Sequence, residues 1–189
     1  MVGRIFGPQP TKAAVFSFAW IAAVTDYQMR PFRWADVPAI TAIYNHYVLH
    51  STATFDTELA SEHKLAEKFG TMLDLDHPTI VVEGADGSVL GYGYASVFRP
   101  RPAYRFTCEE TLYLHKDAVG KGLGKVLLGE IITQARAKGF KQMIGVITAE
   151  NANSVVLHER LGFHKVGYYN ALGLKFDRWL DIVHMQLTL

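Results

Sequence analysis

Apolar and polar positions alternate along this chain in two periods, one near 2 and one near 3.6, and the changes between them mark out its elements. Residues 27–32 read as a first strand. Asp36 is placed as an N-cap with Pro38 early in the helix behind it, and Ile40, Ile43, Tyr44 and Tyr47 form that helix's apolar stripe. Residues 51–56 are polar and small, a loop. Ser61 with Lys64 opens a second helix that runs to Leu73, and His77 and Pro78 end the connection. Residues 79–83 are a short buried strand, Asp86-Gly87 is a hairpin turn, and residues 89–97 return, with Gly91 and Gly93 thinning one face. Two prolines and three arginines interrupt regular structure over 98–106. A strand follows over 107–114, then a turn carrying Gly120, Gly122 and Gly124. Next comes a helix whose apolar face is Val126, Leu127, Leu128, Ile131, Ile132 and Ala135, closed at Lys138-Gly139. A strand over 142–147, a short helix over 151–163 stopped by Gly162, and two closing strands over 164–172 and 178–187 complete the order. That order predicts an α/β (α+β) fold, a mixed sheet with helices on both faces.

The composition narrows the classes. With 189 residues, 49% hydrophobic and 20% charged, the chain suits one globular domain, placed over 26–189. A formal net charge of +1 gives no general attraction to nucleic acid or membrane, and neither is expected as a partner. One cysteine, Cys108, excludes an internal disulfide and fits a reducing compartment. Residues 1–25 are read as an N-terminal extension. Their apolar run over 13–24 behind Arg4 and Lys12 has the order of a secretory signal but lacks a clear small-residue cleavage site. The extension either packs on the domain or is upstream sequence from an early start, with its order left open. His46 and His50 have the four-residue spacing of a metal pair, but no third ligand accompanies them and no metal is expected.

The glycine turn carries the first chemical signal. A helix start leaves backbone N–H groups unpaired at the positive end of the dipole. Glycines let an anion approach that backbone, and Lys121 and Lys125 add charge, so phosphate or pyrophosphate is the natural guest. A P-loop requires Ser or Thr after its lysine, and Val126 stands there. The dinucleotide fingerprint requires a glycine where Leu127 stands. Upstream, Glu109 and Glu110 point to opposite faces of their strand, so one carboxylate faces the core side. Arg99, Arg101 and Arg105, set among Phe98, Tyr104 and Phe106, are either a solvated loop or a cationic rim able to hold a carboxylate by a bidentate contact.

Two motifs together name a family. Gly120-Lys121-Gly122-Leu123-Gly124-Lys125 opening an apolar helix, followed by Asn151, Ser154, Leu157, His158, Gly162 and Phe163 at their spacing, resembles the GNAT superfamily of acetyl-CoA-dependent N-acetyltransferases. The likeness covers residues 30–189. Within the superfamily, the stretches 107–113, 157–159, 99–105 and 175–181 resemble the phosphinothricin acetyltransferases, a family that includes enzymes acting on methionine sulfone and methionine sulfoximine. The resemblance implies a central, mostly antiparallel mixed sheet. It also implies a cytoplasmic homodimer that acetylates the α-amino group of a small amino acid or a toxic analogue. Val119 departs from the pattern, because the turn usually opens with Arg or Gln. One contact near the pyrophosphate is lost and weaker affinity for acetyl-CoA is expected.

The site residues follow from the same resemblance. The incoming ammonium must lose a proton, and Glu109, in the family's glutamate position, is expected as base, with Glu110 the competing choice. His158 stands where many relatives carry a tyrosine that protonates the departing thiolate, and either an acid or a base role is open to it. A backbone N–H within 112–114 would face the developing oxyanion. Leu112, Tyr113 and Leu114 would frame the acetyl and pantetheine arm, Gly120, Lys121, Gly122, Leu123, Gly124 and Lys125 would hold the pyrophosphate, and Asn151 and Ser154 would complete the acetyl-CoA site. Arg99 and Arg101 are the candidates for the substrate carboxylate, with Phe55 and Tyr104 as walls. Two alternatives stand beside this reading: an acetyltransferase for another small amine or a protein N-terminus, and a non-catalytic acetyl-CoA sensor.

Overall fold

The computed structural model describes residues 26–189; the expected extension over 1–25 lies outside them. Among the described residues seven strands and four α-helices follow the expected order. They are β1 (Tyr27–Pro31), α1 (Val37–His50), α2 (Glu62–Asp74), β2 (Thr79–Gly84), β3 (Val89–Val97), β4 (Thr107–Leu114), α3 (Leu123–Ala137), β5 (Gln142–Thr148), α4 (Ala152–Arg160), β6 (His164–Lys175) and β7 (Arg178–Thr188). The strands lie in the order β1-β2-β3-β4-β5-β7-β6. Only β4 and β5 run parallel; every other pair is antiparallel.

Strand alternation sends successive side chains to two separate cores. Val81, Tyr92, Tyr94 and Tyr113 meet Ile40, Ile43, Leu65, Phe69 and Met72 of α1 and α2. Cys108, Met143, Ile147, Val183 and Met185 meet Leu127, Leu128, Ile131 and Ala135 of α3, with Val155 of α4. Gly93 allows α3 to sit close on the sheet, since a Cβ there would come within 2.5 Å of Ile131 Cδ1.

The helix starts differ. Ser61 Oγ accepts the Lys64 N–H at 3.1 Å, a regular N-cap. Asp36 does not cap α1 with its side chain, contrary to the sequence expectation. Its carboxylate accepts two guanidinium bonds from Arg30 and the Arg33 N–H, closing the short 3-10 turn before the helix. Burial works to raise the Asp36 pKa, and the Arg30 hydrogen bond with the Arg33 N–H outweighs it, so the carboxyl lies below its usual range. An available arginine is the stronger partner.

Candidate active site

Strands β4 and β5 pair at only three positions, Thr107 with Gln142, Cys108 with Met143 and Glu109 with Ile144, and then part. Past that point β5 continues along β7 while β4 continues along β3. The Phe98 N–H donates to the Thr107 carbonyl and the His115 N–H to the Leu90 carbonyl. Odd-numbered residues of β4 therefore exchange bonds with β3, and the peptide groups of Glu110, Leu112 and Leu114 face the gap. Tyr47 donates its hydroxyl to the Leu114 carbonyl at 2.9 Å. The gap is the floor of a cleft of about 860 Å³.

The glycine turn closes one end of this cleft. Gly120 and Gly122 have φ near +80°, a backbone that side chains disfavour. Gly122 is the N-cap of α3 and offers no side chain to its first N–H groups. Gly120, Gly122, Gly124 and Lys125 line the cleft, joined by Val119, Asn151 and Ser154. Asn151 also caps α4, accepting the Ser154 N–H at 3.2 Å. Lys121 is exposed and Leu123 is buried in the α3 core, so neither side chain is in the lining. This cradle fits a diphosphate, with backbone donors and one cation converging where no Cβ stands in the way.

At the other end Glu109 and Glu110 lie on opposite faces of β4, as alternation requires, and both reach the cleft. Glu109 is half-buried on the α1–α2 side. Burial and then the nearby Glu110 charge raise its pKa, against the pull of Lys68 and Arg99. A carboxylate tuned upward is a better proton acceptor near neutral pH. Glu110 is buried on the other face, and its Oε1 lies 2.8 Å from His158 Nε2. His158 Nδ1 is 2.7 Å from the Ser154 carbonyl. Burial lowers the His158 pKa, but the Glu110 bond and charge together with the Ser154 carbonyl outweigh it, and the net shift is upward. His158 is thus joined to Glu110 and not to Glu109. Strand parity separates the two carboxylates; only the docking of α4 on β5 selects which of them meets the histidine.

Phe55, Thr54 and Leu172 form a further part of the cleft wall. Phe55 packs against β6 at Gly173, where a Cβ would sit inside the contact distance of the ring, with Cζ at 2.8 Å. Loop 51–56 is held by Lys175, whose buried ammonium donates to the carbonyls of Ser51 and Thr54 at 2.7 Å each. Tyr44 donates to Asp56 at 2.6 Å and braces the same loop. Sequence reasoning missed Lys175 and Gly173, because their partners are carbonyls and a ring more than 100 residues away.

Arg99, Arg101 and Tyr104 are not in the cleft lining. Loop 98–106 folds on itself through a 3-10 turn, Pro102–Tyr104. The Arg99 guanidinium lies 4.9 Å from the Phe98 ring centroid, and Tyr104 meets the same ring edge-on. Arg99 remains close enough for its charge to act on Glu109 and His184. Among the described residues no three His, Cys, Asp or Glu side chains are grouped as metal ligands, and no helix is long and apolar enough to cross a membrane.

Comparison with known proteins agrees with this geometry. Residues 40–163 match the acetyltransferase (GNAT) family. The chain is 40% identical to phosphinothricin N-acetyltransferase of Alcaligenes faecalis, over 85% of this chain and 82% of that one. It is 41% identical to an L-methionine sulfoximine/L-methionine sulfone acetyltransferase of Pseudomonas aeruginosa, over 82% of this chain and 90% of that one. A solved phosphinothricin acetyltransferase of Sinorhizobium meliloti, in complex with acetyl-CoA, superposes with a TM-score of 0.85 at 42% identity, covering 87% of this chain and 89% of that one. With its parted strands, glycine cradle and family match in register along one sheet, the chain belongs to the acetyltransferase (GNAT) family.

Proposed function

We propose that this protein transfers the acetyl group of acetyl-CoA to the α-amino group of a small amino acid or an analogue of the phosphinothricin, methionine sulfone and methionine sulfoximine type. The observation that carries the reading is one continuous cleft with a diphosphate cradle at one end and a carboxylate of raised pKa at the other. The names of the relatives at about 40% identity support the substrate class.

The roles follow from position. The glycine turn, with Lys125, takes the diphosphate. The cleft-facing peptide groups of Leu112 and Leu114 align the pantetheine arm, and an N–H of this edge stabilises charge on the thioester oxygen. Glu109 takes the proton of the ammonium, directly or through water. Lys68 on α2 and Arg99, which stands outside the cleft lining but whose charge reaches Glu109, are the positive groups offered to the substrate carboxylate. Phe55 shapes the side-chain subsite. We further propose a cytoplasmic homodimer. The β6–β7 hairpin leaves Trp179 66% exposed beside exposed Tyr168, Leu172 and Leu174, an apolar surface suited to a second copy.

The test is release of free CoA thiol with phosphinothricin, methionine sulfone, methionine sulfoximine, the common amino acids, a polyamine and a short peptide as acceptors. Turnover confined to the amino-acid analogues is expected, with Glu109→Gln lowering kcat/KM by about 10²–10⁴-fold. Turnover on the polyamine or peptide alone overturns the substrate assignment, and acetyl-CoA binding without turnover overturns the enzyme.

A further inference from the structure

One set of polar bonds beside the cleft has no part in the roles above. It centres on Glu150, in the corner between β5 and α4, one residue before the Asn151 cap. Glu150 Oε1 accepts the Thr52 hydroxyl at 2.8 Å, from 98 positions away in sequence. The Thr148 hydroxyl lies 3.4 Å from Thr52 Oγ1. Thr52 gives its one hydrogen to Glu150, so Thr148 is the donor in that second bond. The Arg178 guanidinium donates to both Glu150 oxygens at 3.1 Å each, a two-pronged contact.

The circuit closes through the β6–β7 hairpin. Phe176 and Asp177 have φ of 52° and 56°, as a tight hairpin turn requires, and Lys175 and Arg178 are the closing pair. Two cations directly opposite each other across a strand pair repel unless each has acceptors of its own. Here Lys175 donates to the Ser51 and Thr54 carbonyls, and Arg178 donates to Glu150. One hairpin tip therefore grips both loop 51–56 and the β5–α4 corner, and Thr52 joins the two directly. Thr54 and Phe55 of the loop line the cleft, as do Asn151 and Ser154 beyond the corner. Glu150 itself is outside the lining.

We propose that Glu150 is a positioning residue that couples the two substrate sites, so that CoA and the acceptor each bind more tightly when the other is present. The proposal rests on the acetyltransferase reading, with CoA at Asn151 and the acceptor beside Phe55. CoA held at Asn151 fixes the corner, Glu150 passes that to Thr52, and Thr52 steadies the Phe55 wall. The acceptor then meets a wall already ordered and gives up less freedom on binding. Linkage makes the effect reciprocal. The ionic link suits this role because it is weak by itself. The Glu150 and Arg178 side chains are 42% and 56% exposed, and an exposed pair contributes little unless its ends are held. It opens easily in the free protein, and bound ligand decides whether it is closed. Lys175, 3% exposed, supplies the fixed end of the circuit.

The experiment is calorimetric binding of phosphinothricin and of methionine sulfone to the full chain, with and without saturating CoA, which has no acetyl group to transfer. In wild type, CoA should lower the Kd of the bound acceptor about 5-fold or more. Glu150→Ala and Arg178→Ala should each bring that ratio to about 1, with the Kd for CoA alone and the urea midpoint little changed. A merely structural loss would instead weaken each ligand alone. Glu150→Gln should keep part of the coupling, because its amide oxygen still accepts from Thr52. Glu159→Ala, which removes the exposed ion pair of α4 with Lys165, should keep the wild-type ratio. A wild type that binds an acceptor equally well with and without CoA overturns the proposal, as does a folded Glu150→Ala that retains the coupling. If Glu150→Ala does not fold, Arg178→Ala decides. A wild type that binds CoA but neither acceptor, and acetylates neither, instead overturns the acceptor assignment and the coupling with it.

Discussion

At Gly173 the missing Cβ lets the Phe55 ring pack directly on β6 and form part of the cleft wall, the proposed amine subsite. Nothing in the sequence pairs these positions, which are 118 apart in number, so the contact is visible only in the folded chain. Gly173→Ala should displace the ring, cost about 1–3 kcal/mol by overpacking, and raise KM for the amine more than KM for acetyl-CoA. Thermal unfolding and separate titrations of the two substrates check this. Glu109 and Glu110 illustrate the opposite case. The period of two along a strand is enough to put them on opposite faces. What the period does not contain is the partner, because His158 arrives on α4 from 48 positions away.

Whole elements are legible where the pattern is local. β3 and β4 fall on their expected bounds, and the Ser61 cap and the Gly162 stop act as their residue types predict. The α3 turn is the functional case. Gly122 sits at φ 83° as the N-cap, so Gly122→Ala should cost about 1–2 kcal/mol and raise KM for acetyl-CoA, with the KM for the amine less affected. Initial-rate kinetics with each substrate varied separates the two. Composition marks 51–56 only as a loop, yet it is pinned by the Lys175 ammonium. Lys175→Met should strand those carbonyls, cost roughly 2–4 kcal/mol, and loosen the Phe55 wall, as a lowered urea midpoint and a raised amine KM would show. The loop 98–106 is the converse. Its arginines are plain in the sequence, but their stacking on Phe98 and Phe106 draws two of them onto the loop itself rather than into the cleft.

For the whole molecule, the buried pair makes stability depend on pH in a defined direction. The folded pKa of His158 lies above its unfolded value of about 6.5. Its contribution is therefore complete below that value and is lost as pH rises through the folded one. The stability advantage of wild type over Glu110→Gln, measured by urea unfolding across a pH series, should shrink on the alkaline side. Residue order alone suffices for the succession of elements, the α/β class, the glycine cradle and the opposed carboxylates. Each of these is a local matter of period, capping or backbone freedom within a few residues. Folding had to settle where β4 leaves β5, which carboxylate meets His158, what holds Phe55, and which arginines stay out of the cleft. Those are contacts between residues far apart in the chain. They exist only once the sheet has fixed its strand order and α4 has docked on β5, and short-range pattern carries no record of either event.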